Sequence, residues 1–213
     1  MLGTWDTIVD AAKATSRNRE TISRSILGKT AANADGSQWR YLENHDKPRA
    51  RAVFGESEKA ASVLIFTLDG VPMIYSGQEI GEDHTPSLFE KEAIDWDQGY
   101  KKHSSLRKFY KKLAAFRAGH AALSRGQRFA VPTSESRSVL AYARSYRDDA
   151  VLVAINLSPG EFRGTMEVPE IFRSKNGQFR LKPLFSETAL DPVGEGSAGL
   201  TLPPWGYQVW ELK

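Results

Sequence analysis

The stretch from residue 39 to residue 75 constrains the fold most, because its pattern is that of a strand, a helix and a second strand. Residues 39–42 predict a short strand, residues 56–68 a helix with acidic residues in its first turn, and residues 71–75 a compact apolar strand. The connection is long enough for a crossover between parallel strands. The sequence therefore predicts an α/β arrangement for this part of the chain.

Helical patterns flank this unit on both sides. Residues 5–12 place their apolar side chains three and four positions apart, and residues 19–27 predict a second helix that ends at Gly28. A turn is predicted at residues 33–37, and residues 104–118 predict an amphipathic helix with a basic polar face. The first part of the chain is thus predicted to consist of helices and parallel strands.

From about Gly126 onward the pattern changes to short β-type runs separated by turns. Strands are predicted at residues 138–146, 150–157, 162–168, 179–185 and 207–212. The glycine-rich stretch 194–199 predicts a connection between two of them. The predicted fold class is therefore α/β plus all-β, with an α/β domain over residues 1–122 and an antiparallel β-sandwich over residues 123–213.

Charge and composition argue against several function classes. The chain has 29 basic and 26 acidic residues, a formal net charge of only +3, whereas a nucleic-acid interface needs a basic excess on one face. It has no cysteine, so disulfides and thiolate metal sites are excluded, and its histidines are too dispersed for a recognisable metal site. No signal peptide and no apolar run long enough to cross a bilayer is visible. We therefore predict a soluble protein without nucleic-acid or membrane partners, whose compartment stays open.

Polar side chains follow both predicted parallel strands. Asn44, His45 and Asp46 come just after the first strand, and Gln78 and Glu79 just after the second. The carboxyl ends of parallel strands meet at one edge of a sheet, so both groups should face the same side, where they suit a polyhydroxylated ligand such as a sugar. Two alternatives remain open. Asn44 and Asp46 could merely cap a turn, and Asp46 could pair with Glu79 as acid and base, which spacing alone cannot decide.

Two motifs at these positions resemble the alpha-amylase family, glycoside hydrolase family 13. The stretch YLENHDKPR at residues 41–49 is similar to the family's fourth conserved region, and GVPMIYSGQEIG at residues 70–81 is similar to its eighth barrel strand and the turn after it. Residues 104–123 resemble the last barrel helix, and the β module resembles the family's C-terminal sandwich domain. The resemblance implies the last βα units of a TIM (β/α)8 barrel, followed by the antiparallel sandwich.

The resemblance also implies a role for each matching residue. Asp46 would stabilise the oxocarbenium-like transition state, His45 would bind the same sugar ring, and Asn44 would support both. Arg49 is assigned to substrate binding at the rim, with a structural contact as the alternative, and Glu79 corresponds to a scaffold residue of the barrel mouth. The implied partner is an α-glucan or oligosaccharide. No organic cofactor is implied, and Ca²⁺ is possible in the full-length protein, because its usual ligands lie largely outside this sequence.

The sequence departs from the family in the rest of the catalytic set. Family members use an Asp nucleophile and a Glu acid/base on earlier strands, and neither motif is present here. A complete barrel takes about 250 residues, so we expect a C-terminal portion with the rest of the barrel missing. The implied parent is a retaining glycosidase or transglycosidase acting on alpha-glucosidic bonds, and the chain alone is not expected to hydrolyse them. The alternatives are a non-catalytic carbohydrate-binding or interaction protein of amylase descent and, less favoured, a nucleic-acid-binding module.

Overall fold

A computed structural model describes residues 39–87, 89–185, 190–194 and 196–213. The helices predicted at residues 5–12 and 19–27, and the turn predicted at residues 33–37, lie outside the described residues.

The predicted strand, helix, strand unit is confirmed. Strand β1 (Trp39–Arg40) pairs in parallel with β2 (Val71–Pro72), and helices α1 (Ala50–Phe54) and α2 (Glu58–Thr67) form the crossover. Both strands are shorter than predicted. Pro72 has no N–H to donate to the pairing of the two strands. One further hydrogen bond follows it, from the Met73 N–H to the Arg40 carbonyl at 2.8 Å.

Helix α2 lies in the centre of the molecule, and every residue in it except Lys59 is buried. Helix α3 (Trp96–Gly119) packs against it and starts earlier than the predicted residue 104. Asp95 caps its N-terminus by accepting a hydrogen bond from the Gln98 N–H at 2.9 Å. The backbone leaves helical geometry at His103, which explains why the apolar periodicity begins only at residue 104.

The second half of the described chain is a two-sheet antiparallel sandwich, which follows the short helix α4 (Ala121–Arg125). In the first sheet the order is β3, β4, β5, β10, β7, and in the second it is β6, β9, β8. These strands are β3 (Gln127–Ala130), β4 (Val139–Tyr146), β5 (Asp149–Asn156), β6 (Phe162–Glu167), β7 (Leu181–Pro183), β8 (Asp191–Gly194), β9 (Ser197–Leu202) and β10 (Tyr207–Leu212). The predicted hairpin is β4 with β5, and the predicted strand at 179–185 is reduced to β7.

The prediction of a connection at residues 194–199 is wrong in its second half, because β9 starts at Ser197. This strand pairs with β6 on one side and with β8 on the other, so it is the middle strand of its sheet. Its side chains at Ala198, Leu200 and Leu202 are buried, and Gly199 lies opposite Thr165. The backbone N–H and C=O groups of β9 are hydrogen-bonded on both edges. This pairing makes the segment a strand although its small side chains have little β propensity.

The central strands of the first sheet are buried on both faces. Val153 in β5 belongs to a core shared with α2 and α3, whereas the adjacent Leu152 belongs to the core between the two sheets. The molecule is therefore layered, with helices on one face of the five-stranded sheet and the three-stranded sheet on the other. The last α-helix ends at Arg125 and the sandwich begins at Gln127, and a domain boundary after residue 122 stays a prediction.

Two arginines hold α2 to the layers around it. Arg117 of α3 donates to the carbonyls of Phe66 at 2.7 Å and Leu68 at 3.1 Å, and Arg144 of β4 donates to the carbonyl of Thr67 at 3.0 Å. Burial lowers the pKa of Arg117 to about 10, with the nearby Arg144 charge acting in the same direction. Cations at a helix C-terminus satisfy its last carbonyls and complement its dipole, so the end of α2 is fixed.

None of the helices that the structure describes is both long and apolar enough to cross a membrane.

Candidate active site

The loops that follow β1 and β2 meet at the carboxyl ends of these strands. Arg49, in the first loop, donates to the Ser76 carbonyl at 2.8 Å and to the His84 carbonyl at 2.9 Å, both in the second loop. Parallel pairing of the strands puts both loops at the same edge, and these two bonds fix their separation. We call the resulting surface, residues 43–49 and 76–84, the strand-end rim.

Arg49 lies beneath the rim and forms a buried ion pair with Glu43. Its side chain is 3% exposed, its Nη1 lies 2.8 Å from Glu43 Oε1, and its guanidinium stacks 5.0 Å from the centroid of the Tyr75 ring. The second Glu43 oxygen accepts from the Ala50 N–H, at the start of α1. Burial raises the pKa of Glu43, although the Ala50 N–H and Arg49 oppose the shift.

This burial favours the structural alternative for Arg49, and its assignment to substrate binding at the rim stays a prediction. All the hydrogen bonds that its side chain makes in the described structure go to Glu43 and to loop carbonyls. Glu43 was missed altogether, because the motif treats its position as variable. The signal available in the sequence is an acid and an arginine six residues apart on either side of the polar triplet.

The polar triplet forms a tight turn that exposes two of its three side chains. Asn44 Oδ1 accepts from the Asp46 N–H at 2.9 Å, which is the turn-capping arrangement that the sequence left open. The side chains of His45 and Asp46 are 68% and 67% exposed, and His45 Nε2 lies 3.3 Å from Asp46 Oδ2. Capping by Asn44 and a binding role for the other two are therefore compatible: the cap sets the turn, and the turn presents the imidazole and carboxylate to solvent.

Gln78 and Glu79 lie in a different setting within the same rim. Gln78 is buried and donates from Nε2 to the Tyr110 hydroxyl at 2.8 Å, in a short turn between Gly77 and Gly81, both of which have positive φ. No hydrogen bond joins Glu79 to Asp46 in the described structure, and Glu79 Oε2 is a buried atom without a hydrogen-bond partner there. The pairing of Asp46 with Glu79 as acid and base therefore gains no support, and the scaffold role of Glu79 stays a prediction.

Glu79 lines a cavity of about 340 Å³ that sequence reasoning did not identify. Trp96, at the start of α3, and Tyr110 contribute aromatic walls, and Ile74 and Ser76 line the side formed by the loop after β2. Trp96 also packs against Tyr100, with ring centroids 6.0 Å apart. Arg107 and Lys111 line the cavity too, so it combines apolar walls with one carboxylate and two cations, directly beside the loop that Arg49 anchors.

A buried hydrogen-bond network supports the rim from below. The Tyr110 hydroxyl lies 2.8 Å from Ser62 Oγ and 3.4 Å from Glu58 Oε1, in addition to its bond from Gln78. Burial raises the pKa of both Tyr110 and Glu58, which disfavours their charged forms. The network therefore connects α2, α3 and the loop after β2 through one hydroxyl.

Across the described ranges, no three His, Asp or Glu side chains come together in a way that could hold a metal ion. Asp46 and Asp83 are the rim's exposed carboxylates, and Glu43 is committed to Arg49. We therefore assign no step to a metal.

Comparisons with known proteins agree with this arrangement. The model of the alpha amylase catalytic domain matches residues 9–99, and that of the maltogenic amylase C-terminal domain matches residues 129–209. Alpha-amylase 3 of Dictyoglomus thermophilum is 31% identical over 165 residues, which cover 63% of this chain and 32% of that protein. A cyclomaltodextrinase of a Bacillus species is 32% identical over 141 residues, 62% of this chain and 25% of that protein.

Solved structures agree on the fold. An Anoxybacillus alpha-amylase superposes with a TM-score of 0.71 at 17% identity, over 98% of this chain and 45% of that one. AmyP in complex with maltose gives a TM-score of 0.71 at 19% identity, over 96% of this chain and 48% of that one. The chain thus spans less than half the length of the relatives it matches. It belongs to the alpha-amylase family, and it comprises the last βα units of the family's barrel followed by the C-terminal β-sandwich.

Proposed function

We propose that this chain is the C-terminal portion of an alpha-amylase-like retaining glycosidase or transglycosidase that acts on alpha-glucosidic bonds. One observation carries the proposal: an exposed carboxylate and imidazole, Asp46 and His45, stand 3.3 Å apart on a capped turn at the strand-end rim. Active sites of β/α barrels are built at this end of their strands. The sugar-binding role of these residues is part of the proposal.

The chemistry of the pair fits an oxocarbenium-like transition state. Positive charge develops on the sugar ring as the glycosidic bond breaks, and a carboxylate held nearby stabilises it. Asp46 would supply this carboxylate, and it could also accept hydrogen bonds from sugar hydroxyls. His45 would bind the same ring through its imidazole. Asn44 would contribute by holding the turn, and Arg49 by fixing the loop from beneath.

The other two carboxyl groups of a retaining mechanism must come from elsewhere. Retaining enzymes place a nucleophile and an acid/base about 5 to 5.5 Å apart across the scissile bond. The family's nucleophile and acid/base motifs do not occur in this sequence, so we infer that earlier barrel strands supply both groups. The chain alone should then bind saccharide without turning it over. Maltose and maltotriose, which solved structures of AmyP contain, indicate the substrate class.

The test uses the enzyme that contains a complete barrel ending in this chain. Asp46→Asn should lower kcat for an α-glucoside by two orders of magnitude or more, about 2.7 kcal/mol, because the variant lacks the charge. Asp148→Asn is the matched control, since Asp148 is exposed in the β4–β5 turn and should leave kcat unchanged. Near-normal turnover by Asp46→Asn would disprove the assigned role.

The second candidate is a non-catalytic carbohydrate-binding protein of amylase descent. It is favoured by the lack of the family's nucleophile and acid/base motifs in this sequence, because Asp46 can bind hydroxyls but cannot by itself complete a two-carboxylate mechanism. Reading the coding sequence before residue 1 separates the two. Asp and Glu motifs on earlier strands support the enzyme, and their absence, together with maltotriose binding that shifts the NMR signals of His45, supports the binding protein.

A further inference from the structure

The β-sandwich contains a groove of about 690 Å³ whose lining has a chemical character of its own. The groove lies between the end of β3, the segment after it and the start of β9, and its walls include Phe129, Thr133, Glu167, Arg173 and Gly196. None of its lining residues belongs to the strand-end rim. We call it the sandwich groove.

Two buried polar atoms in the sandwich groove have no hydrogen-bond partner in the described structure. They are the Thr133 hydroxyl oxygen and the Arg173 Nε. Buried polar groups are almost always hydrogen-bonded, so each of these two unpaired atoms needs an explanation. The two atoms differ in kind: a guanidinium N–H can only donate, whereas a hydroxyl can donate or accept. A ligand that carries hydroxyl groups would satisfy both.

The backbone around Arg173 leaves room for its guanidinium inside the groove. Gly196 has φ +75°, and a Cβ placed on it would lie 2.6 Å from Arg173 Nη1. A larger residue at this position would therefore displace the guanidinium as well as strain the backbone. Glycine here lets the guanidinium lie close to the backbone just before β9, next to the groove.

The remaining walls supply an apolar face and a negative charge. Phe129 is 49% exposed at the end of β3, and Pro132 and Pro169 lie in the same lining. The Glu167 carboxylate is exposed in the lining too, and it makes no ion pair with Arg173 in the part of the chain that the structure describes. A simple anion site is disfavoured, because Glu167 would repel the ligand that Arg173 attracts.

We propose that the sandwich groove is a second carbohydrate-binding site, separate from the strand-end rim, and that it takes an α-glucan chain. An aromatic face with a few converging polar groups, in a volume of this size, is the usual composition of a small-molecule site. A sugar ring places its C–H face on the phenyl group and its hydroxyls on the Thr133 hydroxyl, the guanidinium and the carboxylate. The choice of α-glucan among saccharides rests on the proposed function. The second site would hold the polymer while the rim acts on it.

The experiment measures maltoheptaose binding to the whole chain by isothermal titration calorimetry. Arg173→Ala and Phe129→Ala should each weaken this binding about tenfold, the effect of removing one good contact. Arg163→Ala is the matched control: Arg163 is an exposed arginine on β6, outside the groove, and its removal should change nothing. Thermal unfolding of each variant confirms that the sandwich is intact.

A fourth variant separates this proposal from the proposed function. In Asp46→Asn, binding through the sandwich groove should persist, because the rim is altered and the groove is not. The opposite result would overturn the second site: Asp46→Asn abolishes binding, whereas Arg173→Ala and Phe129→Ala leave it intact. The role of the rim would then still stand. Absence of any maltoheptaose binding to the unaltered chain would also overturn the second site, whereas the function of the rim is judged by turnover of the complete enzyme.

Discussion

Removing the Arg49 guanidinium should destabilise the chain strongly, because it leaves a carboxylate buried without its partner. In Arg49→Met the side-chain volume is roughly kept, while the bonds to Glu43, Ser76 and His84 are lost. Breaking a buried ion pair on one side costs about 3 to 5 kcal/mol in free energy of unfolding. Both side chains of the pair are almost fully buried, so solvent screening does not reduce this value.

The destabilisation should grow with pH. Folding raises the pKa of Glu43 above its ordinary value near 4.5, so the folded state binds this proton more tightly than the unfolded state. Stability contributed by such a group is greatest at low pH and falls as the pH rises from about 4.5 through the raised value. Loss of Arg49 raises the pKa of Glu43 further and widens this interval. The difference between the variant and the unaltered chain should therefore be larger at pH 7.5 than at pH 5.

Urea denaturation followed by tryptophan fluorescence, repeated at both pH values, provides the measurement. Glu43→Gln combined with Arg49→Met should be more stable than Arg49→Met alone and should show less pH dependence, because no buried charge is left. Arg137→Met serves as the control: its ion pair with Glu135 is exposed and worth less than about 1 kcal/mol. A double variant no more stable than Arg49→Met, or a cost independent of pH, would refute this reasoning.

Two further substitutions test the supports of the rim and of α2. Tyr110→Phe should lower the free energy of unfolding by about 1 to 3 kcal/mol, because Gln78 and its neighbours lose the hydroxyl as a hydrogen-bond partner. Urea denaturation checks this, with Tyr100→Phe, at an exposed tyrosine, as the control. Equal stability of the two variants would contradict the prediction. Arg117→Ala should lower the free energy of unfolding by about 2 to 4 kcal/mol, because carbonyls at the end of α2 lose their donor. Urea denaturation checks this too, with Arg125→Ala, at an exposed arginine, as a control that should be neutral. An equally small effect in both variants would argue against the capping role of Arg117.

Elements with strong local signals were predictable from the sequence. The β4–β5 hairpin follows from two β-type runs on either side of a polar turn in which Arg147 adopts φ +54°. The parallel pairing of β1 and β2 follows from the helix-length connection between them. In both cases the deciding residues are neighbours in the chain, so their pattern is readable without knowledge of the rest of the fold.

Features that depend on distant partners were not predictable. Strand β9 consists partly of glycine and small residues, and it becomes a strand because β6 and β8 pair with its two edges. The burial of Arg49 depends on the loop carbonyls of Ser76 and His84, which lie 27 and 35 residues further along the chain. The polar triplet could be identified by its residue types, but which neighbours support it is decided by tertiary contacts.

The rim therefore has two kinds of charged side chain: exposed ones that are proposed to contact the sugar, and buried ones that position the loop carrying them. A side chain that must meet a sugar in solvent, such as Asp46, cannot be held by packing, because two thirds of it has no protein around it. Its position has to be set by the backbone of its turn. Asn44 fixes that turn locally, and the buried pair of Glu43 and Arg49 fixes both ends of the loop relative to β1, α1 and the loop after β2. Ionic groups suit this task better than apolar ones, since directional bonds to defined atoms specify an orientation that apolar contacts leave free. A variant that repacks this pair with apolar side chains could keep the fold and still misplace the carboxylate, so the precision of the proposed site depends on residues that never touch the sugar.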